Sequence, residues 1–285
     1  MPRIARLRFV ALAFGSAVLA AGFIATGCSQ RPAAPIVAAA PIRGASAAES
    51  AGNEDSGRGV GYEFHIRYIE LQPEWDVLGH ALHDFAAQRK HEFLAARAAD
   101  ARVDGPAYML NLKFDLARRT TDFIGVLANG DVATGGAHPA PIMASFNLHL
   151  ADSKLLSIVD LFTDSDSALK ALSDESRHQL EGRYEAKLRE QISDAKALAE
   201  QLKSMHDWVE HGTTPKAETF GVFLVDGLDA KAIGLTLIFP PDQVTAYAEG
   251  QQQVEVPAKL FYDLLKPVYR DAFAIDTEAL QRGAR

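Results

Sequence analysis

The order of the hydrophobic periodicities limits the fold of this 285-residue chain more than any single motif does. Apolar residues alternate with polar ones at 62–68, as in a half-buried strand, and recur at helical spacing from 74 to 99. The same patterns predict the remaining elements, namely strands at 108–116, 123–127, 142–150, 155–159, 219–225 and 233–239 and helices at 167–191, 194–210 and 261–265. Because the strands come in runs without regular βαβ alternation, the chain is predicted to be α+β, with a mostly antiparallel sheet and helices packed on one face.

The first 27 residues have the pattern of a secretory signal peptide. Arg3, Arg6 and Arg8 precede an apolar run at 9–24, and small residues follow that run. At about 1.5 Å per helical residue the run spans roughly 24 Å, which is short of the ~30 Å hydrocarbon core of a bilayer. Residues 1–27 are therefore predicted to be removed rather than to span a membrane.

Cys28 is predicted to be a lipid-attachment site. It is the only cysteine, and it directly follows Ala25-Thr26-Gly27, a pattern that resembles the bacterial lipobox. Two or three acyl chains anchor a protein firmly, since each buried CH₂ contributes ~0.8 kcal/mol. The residue that follows Cys28 is Ser29, whereas an aspartate at that position would favour the inner membrane. Ser29 therefore predicts an outer-membrane lipoprotein that faces the periplasm.

The rest of the mature chain divides by composition. Residues 28–59 are rich in Ala, Pro, Gly and Ser, and this composition predicts a flexible tether. The folded part then runs from 60 to 270 in two parts, 60–150 and 151–270, and a tail occupies 271–285. A net charge of −8 argues against a nucleic-acid partner, which would require clustered Lys and Arg, and suits a cationic one.

No catalytic motif is present, so the chain is predicted not to be an enzyme and to need no cofactor or metal. The most distinctive local string is Gly135-Gly136-Ala137-His138-Pro139, in which His138 has no neighbouring acid or second histidine. His80, His83 and Asp84 share one helix, but a closed metal site needs three or four converging ligands. Two alternatives stay open: a cell-wall glycan hydrolase that uses acidic residues or a His80/His83 metal site, and a structural or assembly lipoprotein of the envelope.

Three strings in a fixed order carry a family resemblance. They are 134–139 (TGGAHP), 146–162 (from FNLHL to LF) and 239–250 (FPPDQVTAYAEG). This order resembles the paired domain families DUF4163 and DUF3298, with the first corresponding to 60–150 and the second to 151–270. Asp242 departs from the family pattern, which usually has tyrosine there.

The resemblance implies a binding module of the cell envelope. Members of these families include part of a lysozyme-sensing anti-sigma factor and the non-catalytic part of a peptidoglycan deacetylase. Lysozyme, peptidoglycan or another envelope protein is therefore the expected partner, besides the membrane that holds the lipid anchor. The predicted contact residues lie in two loops and are Gly135, Gly136, His138, Asp242 and Tyr247.

Overall fold

The computed structural model describes residues 54–100, 106–136, 138–228 and 230–275, which lie within one compact unit. The predicted signal peptide, Cys28 and most of the predicted tether lie outside these residues. None of the helices in the described ranges combines the length and the hydropathy that a membrane crossing requires.

A six-stranded sheet forms the N-terminal half of the described chain. Its strands are hydrogen-bonded in chain order, and every pair is antiparallel except β2 with β3. The strands are β1 (Glu54–Gly59), β2 (Tyr62–Arg67), β3 (Tyr108–Arg119), β4 (Phe123–Ala133), β5 (Ala140–His149) and β6 (Lys154–Leu156). The parallel pair requires a crossover, and helix α1 (Asp76–Ala99) makes it.

Helix α1 covers one face of this sheet. Its buried residues Leu78, Leu82, Ala86 and Phe93 recur along one side of the helix and join the buried face of the strands in a single apolar cluster. In β2 the alternation is direct, because Phe64 and Ile66 are buried while His65 and Arg67 are exposed. Each fully buried Leu or Phe stabilises the fold by ~1.5–3 kcal/mol, so this face accounts for much of the stability.

The C-terminal half builds a second, three-stranded antiparallel sheet. Its strands are β7 (Phe223–Leu228), β8 (Lys231–Phe239) and β9 (Gln252–Pro257), with β8 in the middle. Helices α2 (Ser165–Gln191) and α3 (Ala195–Gly212) precede it, and each begins at an aspartate whose carboxylate accepts a backbone N–H bond. Leu169, Leu172 and Leu180 of α2 pack in the same apolar cluster as the buried residues of β8 and β9.

Helix α2 also protects the free edge of β9. The Gln179 side chain donates to the carbonyl oxygen of Glu255 at 2.7 Å, and Arg183 donates to that of Gln253 at 2.8 Å. These are carbonyl groups that an unprotected edge strand would offer to another chain. Helix α2 therefore covers the edge of β9 and also packs on the core.

Strand β7 packs on the face of the six-stranded sheet that points away from α1. Ala117 and Leu127 meet Leu224 and Ile238 there in a small apolar cluster. Asn147, which is only 1% exposed, joins the two sheets: its amide donates to the carbonyl oxygen of Phe223 at 2.8 Å and accepts from the N–H of Val225 at 3.1 Å. The Asn147 side chain thus pairs two backbone groups of β7 that a neighbouring strand would otherwise pair.

The predicted α+β class and the predominance of antiparallel pairs are confirmed. Several local predictions are wrong: 158–159 and 219–220, predicted as strand, lie in 3₁₀ helices, and two further segments differ. The last six residues of the predicted tether form β1, because Gly57 and Gly59 pack against the rings of Phe64 and Tyr62. The helix predicted at 261–265 is instead a pair of single 3₁₀ turns, followed by the short helix α4 (Pro267–Arg270). Pro267 separates these turns from α4, since the residue before a proline is driven into the extended conformation that Lys266 adopts.

Candidate functional site

The two loops that carry the predicted contact residues lie against each other. One loop joins β4 to β5 and holds His138; the other joins β8 to β9 and holds Tyr247. The rings of His138 and Tyr247 stack with their centroids 5.5 Å apart and their planes at 24°, and the Tyr247 hydroxyl donates to the carbonyl oxygen of Pro139 at 2.9 Å. Tyr247 nevertheless remains 37% exposed, so its ring is both held in place and accessible.

The two glycines have different roles. Gly135 has φ = +83°, a left-handed conformation that glycine adopts without the steric cost paid by other residues. Gly136 has room for a side chain, since an added Cβ would only reach the carbonyl oxygen of His138 at 3.8 Å. The turn therefore depends on the first glycine, and Gly136 contributes only its small size and exposure.

Asp242 lies at a sharp turn in the second loop. Its φ is +71°, which is uncommon for a residue other than glycine but tolerated by aspartate. The backbone carbonyl of Asp242 accepts a hydrogen bond from the indole N–H of Trp208 on α3 at 3.2 Å. This turn leaves the Asp242 side chain exposed beside an indole ring that is itself 39% exposed.

Trp208 was missed by sequence reasoning, although a signal was available. The apolar stripe of α3 runs through Met205 and Val209, and Trp208 lies beside that stripe with 39% of its surface exposed. A large aromatic side chain at an exposed helix position is unusual for a surface that only meets water. We define the paired-loop surface as residues 134–136, 138–140 and 240–250 together with Trp208.

Three contacts anchor the second loop to the helices and make it a fixed surface. The Gln243 side chain donates to the carbonyl oxygens of Gly212 and Thr219, both at 3.0 Å. Val244 is buried in the main core, and Glu249 forms an ion pair with Lys187 of α2 at 2.5 Å. The ends of the loop are thus held while Asp242 and Tyr247 stay at the surface.

The predicted alternative of a metal site on α1 receives no support from the geometry. His83 stacks on the Tyr68 ring with centroids 4.3 Å apart, and His80 and Asp84 are exposed. Across the described ranges, no group of three or more His, Cys, Asp or Glu side chains is placed to hold a metal ion.

The clearest perturbed acids belong to structural contacts near the start of the second half. Partial burial opposes ionisation of Asp160, but hydrogen bonds from Lys154 and Ser157 outweigh it and lower its pKa to about 2. A hydrogen bond from the buried His149 likewise lowers the pKa of Asp152. These pairs fix the β5–β6 turn and the first turn of the following 3₁₀ helix, so they act in folding rather than as an acid–base pair.

Comparison with known proteins gives a partial family match and one curated relative. Residues 159–259 match the family described as "Protein of unknown function (DUF3298)". Over 214 residues, 75% of this chain, the sequence is 27% identical to peptidoglycan-N-acetylmuramic acid deacetylase PdaC of Bacillus subtilis. The match spans only 41% of that protein's length, so PdaC is more than twice as long as the region it shares with this chain.

Two solved structures of DUF3298 family proteins align with this chain. One from Pseudomonas aeruginosa PAO1 aligns with a TM-score of 0.51 and 16% identity, covering 76% of this chain and 92% of its own. Another, from Bacteroides fragilis, covers the same fractions with 14% identity and a TM-score of 0.43. At 16% sequence identity, the structure from Pseudomonas aeruginosa supports a similarity of fold and nothing further.

Proposed function

We propose that this chain, whose residues 159–259 match the DUF3298 family, is a binding protein of the bacterial cell envelope. It uses the paired-loop surface to hold a basic protein partner. The observation that carries the proposal is the contact between His138 and Tyr247. It joins two loops that are distant in sequence and holds aromatic rings at the surface. Rigid, partly exposed Tyr and Trp side chains are the residues that most often dominate protein interfaces.

The charge around this surface favours a cationic partner. Asp242 is exposed next to Trp208, and Asp207 and Glu210 are exposed elsewhere on the same helix, α3. The whole chain carries a net charge of −8. Such a field speeds the encounter with a basic protein, whereas the aromatic contacts supply most of the affinity. Lysozyme is the basic envelope-active protein that we select as partner, on the family resemblance.

The cellular location that we propose rests on a separate part of the sequence, the N-terminal 29 residues. We place the chain at the outer membrane, facing the periplasm, with Cys28 as the lipid-attachment site; the small residues before Cys28 support the anchor, and Ser29 after it supports the outer membrane. Labelled palmitate should enter the wild-type protein in cells and fail to enter a Cys28→Ser variant. Equal labelling of both proteins, or of neither, would reject the anchor.

The binding proposal is tested by calorimetric titration of the chain with lysozyme at low and at physiological salt. We expect one-to-one binding that survives the higher salt, and about tenfold weaker binding or worse after Trp208→Ala or Tyr247→Ala. His138→Ala should weaken binding less, because it removes only the ring that supports Tyr247. Asp242→Asn keeps the turn and removes one charge, so it should weaken binding at low salt more than at physiological salt.

The matched control for Asp242→Asn is Asp174→Asn, which removes one exposed carboxylate from α2 outside the paired-loop surface. It should leave the affinity for lysozyme unchanged. Binding that disappears at physiological salt would show only that an acidic protein attracts a basic one, and it would contradict the proposal. Absence of binding at both salts would reject lysozyme and direct the search to peptidoglycan and envelope proteins, through crosslinking in cells.

A further inference from the structure

The six-stranded sheet has an open polar surface beyond the area that β7 covers. Two rows of side chains cross it on the face away from α1. Arg67, Lys113 and Asn129 are register neighbours on β2, β3 and β4. His65, Asn111 and Asp131 form the adjacent row on the same strands.

These rows line a groove of about 450 Å³, within the ~300–1,000 Å³ typical of small-ligand sites. We call it the sheet groove. Its floor is the backbone of β2, β3 and β4, including Gly130, whose missing side chain lets the β4 backbone approach Asn111 closely. The polar side chains that line it are Glu54, His65, Arg67, Asn111, Lys113, Asp115, Asn129 and Asp131.

The charges of the sheet groove nearly cancel and are largely paired within it. Three carboxylates face two cations, although the chain as a whole carries −8. Lys113 is 2.7 Å from Asp115, and the Asn111 amide donates to Asp131 at 3.2 Å. With three carboxylates, two cations and Lys113 already paired with Asp115, the groove itself has too little net charge to select strongly for a charged ligand.

Two side chains keep hydrogen-bonding capacity for a ligand. Within the described part of the chain, the Arg67 guanidinium and the Asn129 amide make no hydrogen bond to another side chain, although Arg67 lies opposite Glu54 in the register of β1 and β2. An amide donates and accepts, a guanidinium donates through a planar fork, and carboxylates accept. A sugar hydroxyl also donates and accepts, so a row of hydroxyl groups matches this mixed array, whereas an apolar ligand would leave its polar groups unpaired.

We propose that the sheet groove binds a neutral oligosaccharide, with Arg67 and Asn129 as its principal contacts. This site does not depend on the paired-loop surface, and its ligand contacts none of the residues assigned to the protein partner. The two proposals therefore succeed or fail separately.

The test uses the chain with two probes: a tetramer of β-1,4-linked N-acetylglucosamine, which is neutral, and a tetramer of galacturonic acid, which is anionic. Calorimetry should show binding of the neutral tetramer and at least tenfold weaker binding of the anionic one. Arg67→Ala and Asn129→Ala should each weaken binding of the neutral tetramer about tenfold. Both positions are exposed, so the melting temperature should stay near that of the wild type, which confirms that the variants are folded.

The matched control is Arg58→Ala, which removes the same charge from neighbouring strand β1 outside the groove lining. Its affinity for the neutral tetramer should equal that of the wild type. The proposal is overturned if the neutral tetramer fails to bind at millimolar concentration, if the anionic tetramer binds as well or better, or if Arg58→Ala weakens binding as much as Arg67→Ala does. None of these outcomes bears on lysozyme binding, since Trp208→Ala and Tyr247→Ala leave the groove intact.

Discussion

Replacing Asn147 with alanine is expected to lower the free energy of unfolding by about 3 kcal/mol. The change removes both hydrogen bonds that this side chain makes to β7 and leaves the carbonyl of Phe223 and the N–H of Val225 without partners. Both residues are buried, and each unpaired buried group costs ~1–3 kcal/mol. Urea unfolding followed by circular dichroism measures the effect.

Two further variants show how much of this loss of stability is specific to Asn147. Ser145→Ala removes one acceptor, for the N–H of Phe223, and should cost about 1 kcal/mol. Asn129→Ala removes the same chemical group from an exposed position of β4 and should change stability by less than about 0.5 kcal/mol. If Asn147→Ala were as mild as Asn129→Ala, the two sheets would not depend on this amide for their contact.

Gly212→Ala is expected to destabilise the protein by about 2 kcal/mol and to disturb the paired-loop surface. An added Cβ would lie 2.0 Å from the carbonyl oxygen of Gln243 and 2.8 Å from its carbonyl carbon. These are backbone atoms of the loop that carries Asp242 and Tyr247, so the loop itself must move. We therefore expect lower stability in urea together with weaker binding at that surface.

The control separates crowding from helix propensity. Gly182 lies within α2, and an added Cβ there would meet nothing within 4 Å. Gly182→Ala should therefore stabilise the protein by about 0.5–1 kcal/mol, because alanine loses less backbone entropy in a helix than glycine does. The same substitution should thus have opposite signs at two helical positions. Stabilisation by Gly212→Ala as well would show that the contact with Gln243 is unimportant.

The elements that sequence reasoning predicted well are those whose signal is local. The helix expected at 74–99 appears as α1, and those expected at 167–191 and 194–210 appear as α2 and α3 within two residues at each end. Their apolar residues recur within each turn, so the pattern is complete inside the segment. The helix expected at 261–265 failed because Phe261 and Leu265 are buried by tertiary packing, not by a helical stripe.

The contact surfaces could be predicted only in part. The two loops were identified from their sequence strings. The contacts between them could not be, because His138 stacks on Tyr247 and the Tyr247 hydroxyl bonds the Pro139 carbonyl across more than one hundred residues of sequence. Trp208 and the sheet groove were missed. In the sequence, Arg67, Lys113 and Asn129 are ordinary exposed positions on three strands, and only the strand register brings them side by side.

The sequence by itself determined the class of the fold, the main helices and most of the strands, because periodicity and proline placement act over a few residues. Only the tertiary structure decided that the strands form two sheets, that Asn147 joins them across 76 residues, and which loops and polar rows meet at the surface. The physical reason is that these contacts depend on the register and packing of distant segments. The burial of many side chains together selects that register, and no single stretch of sequence encodes it.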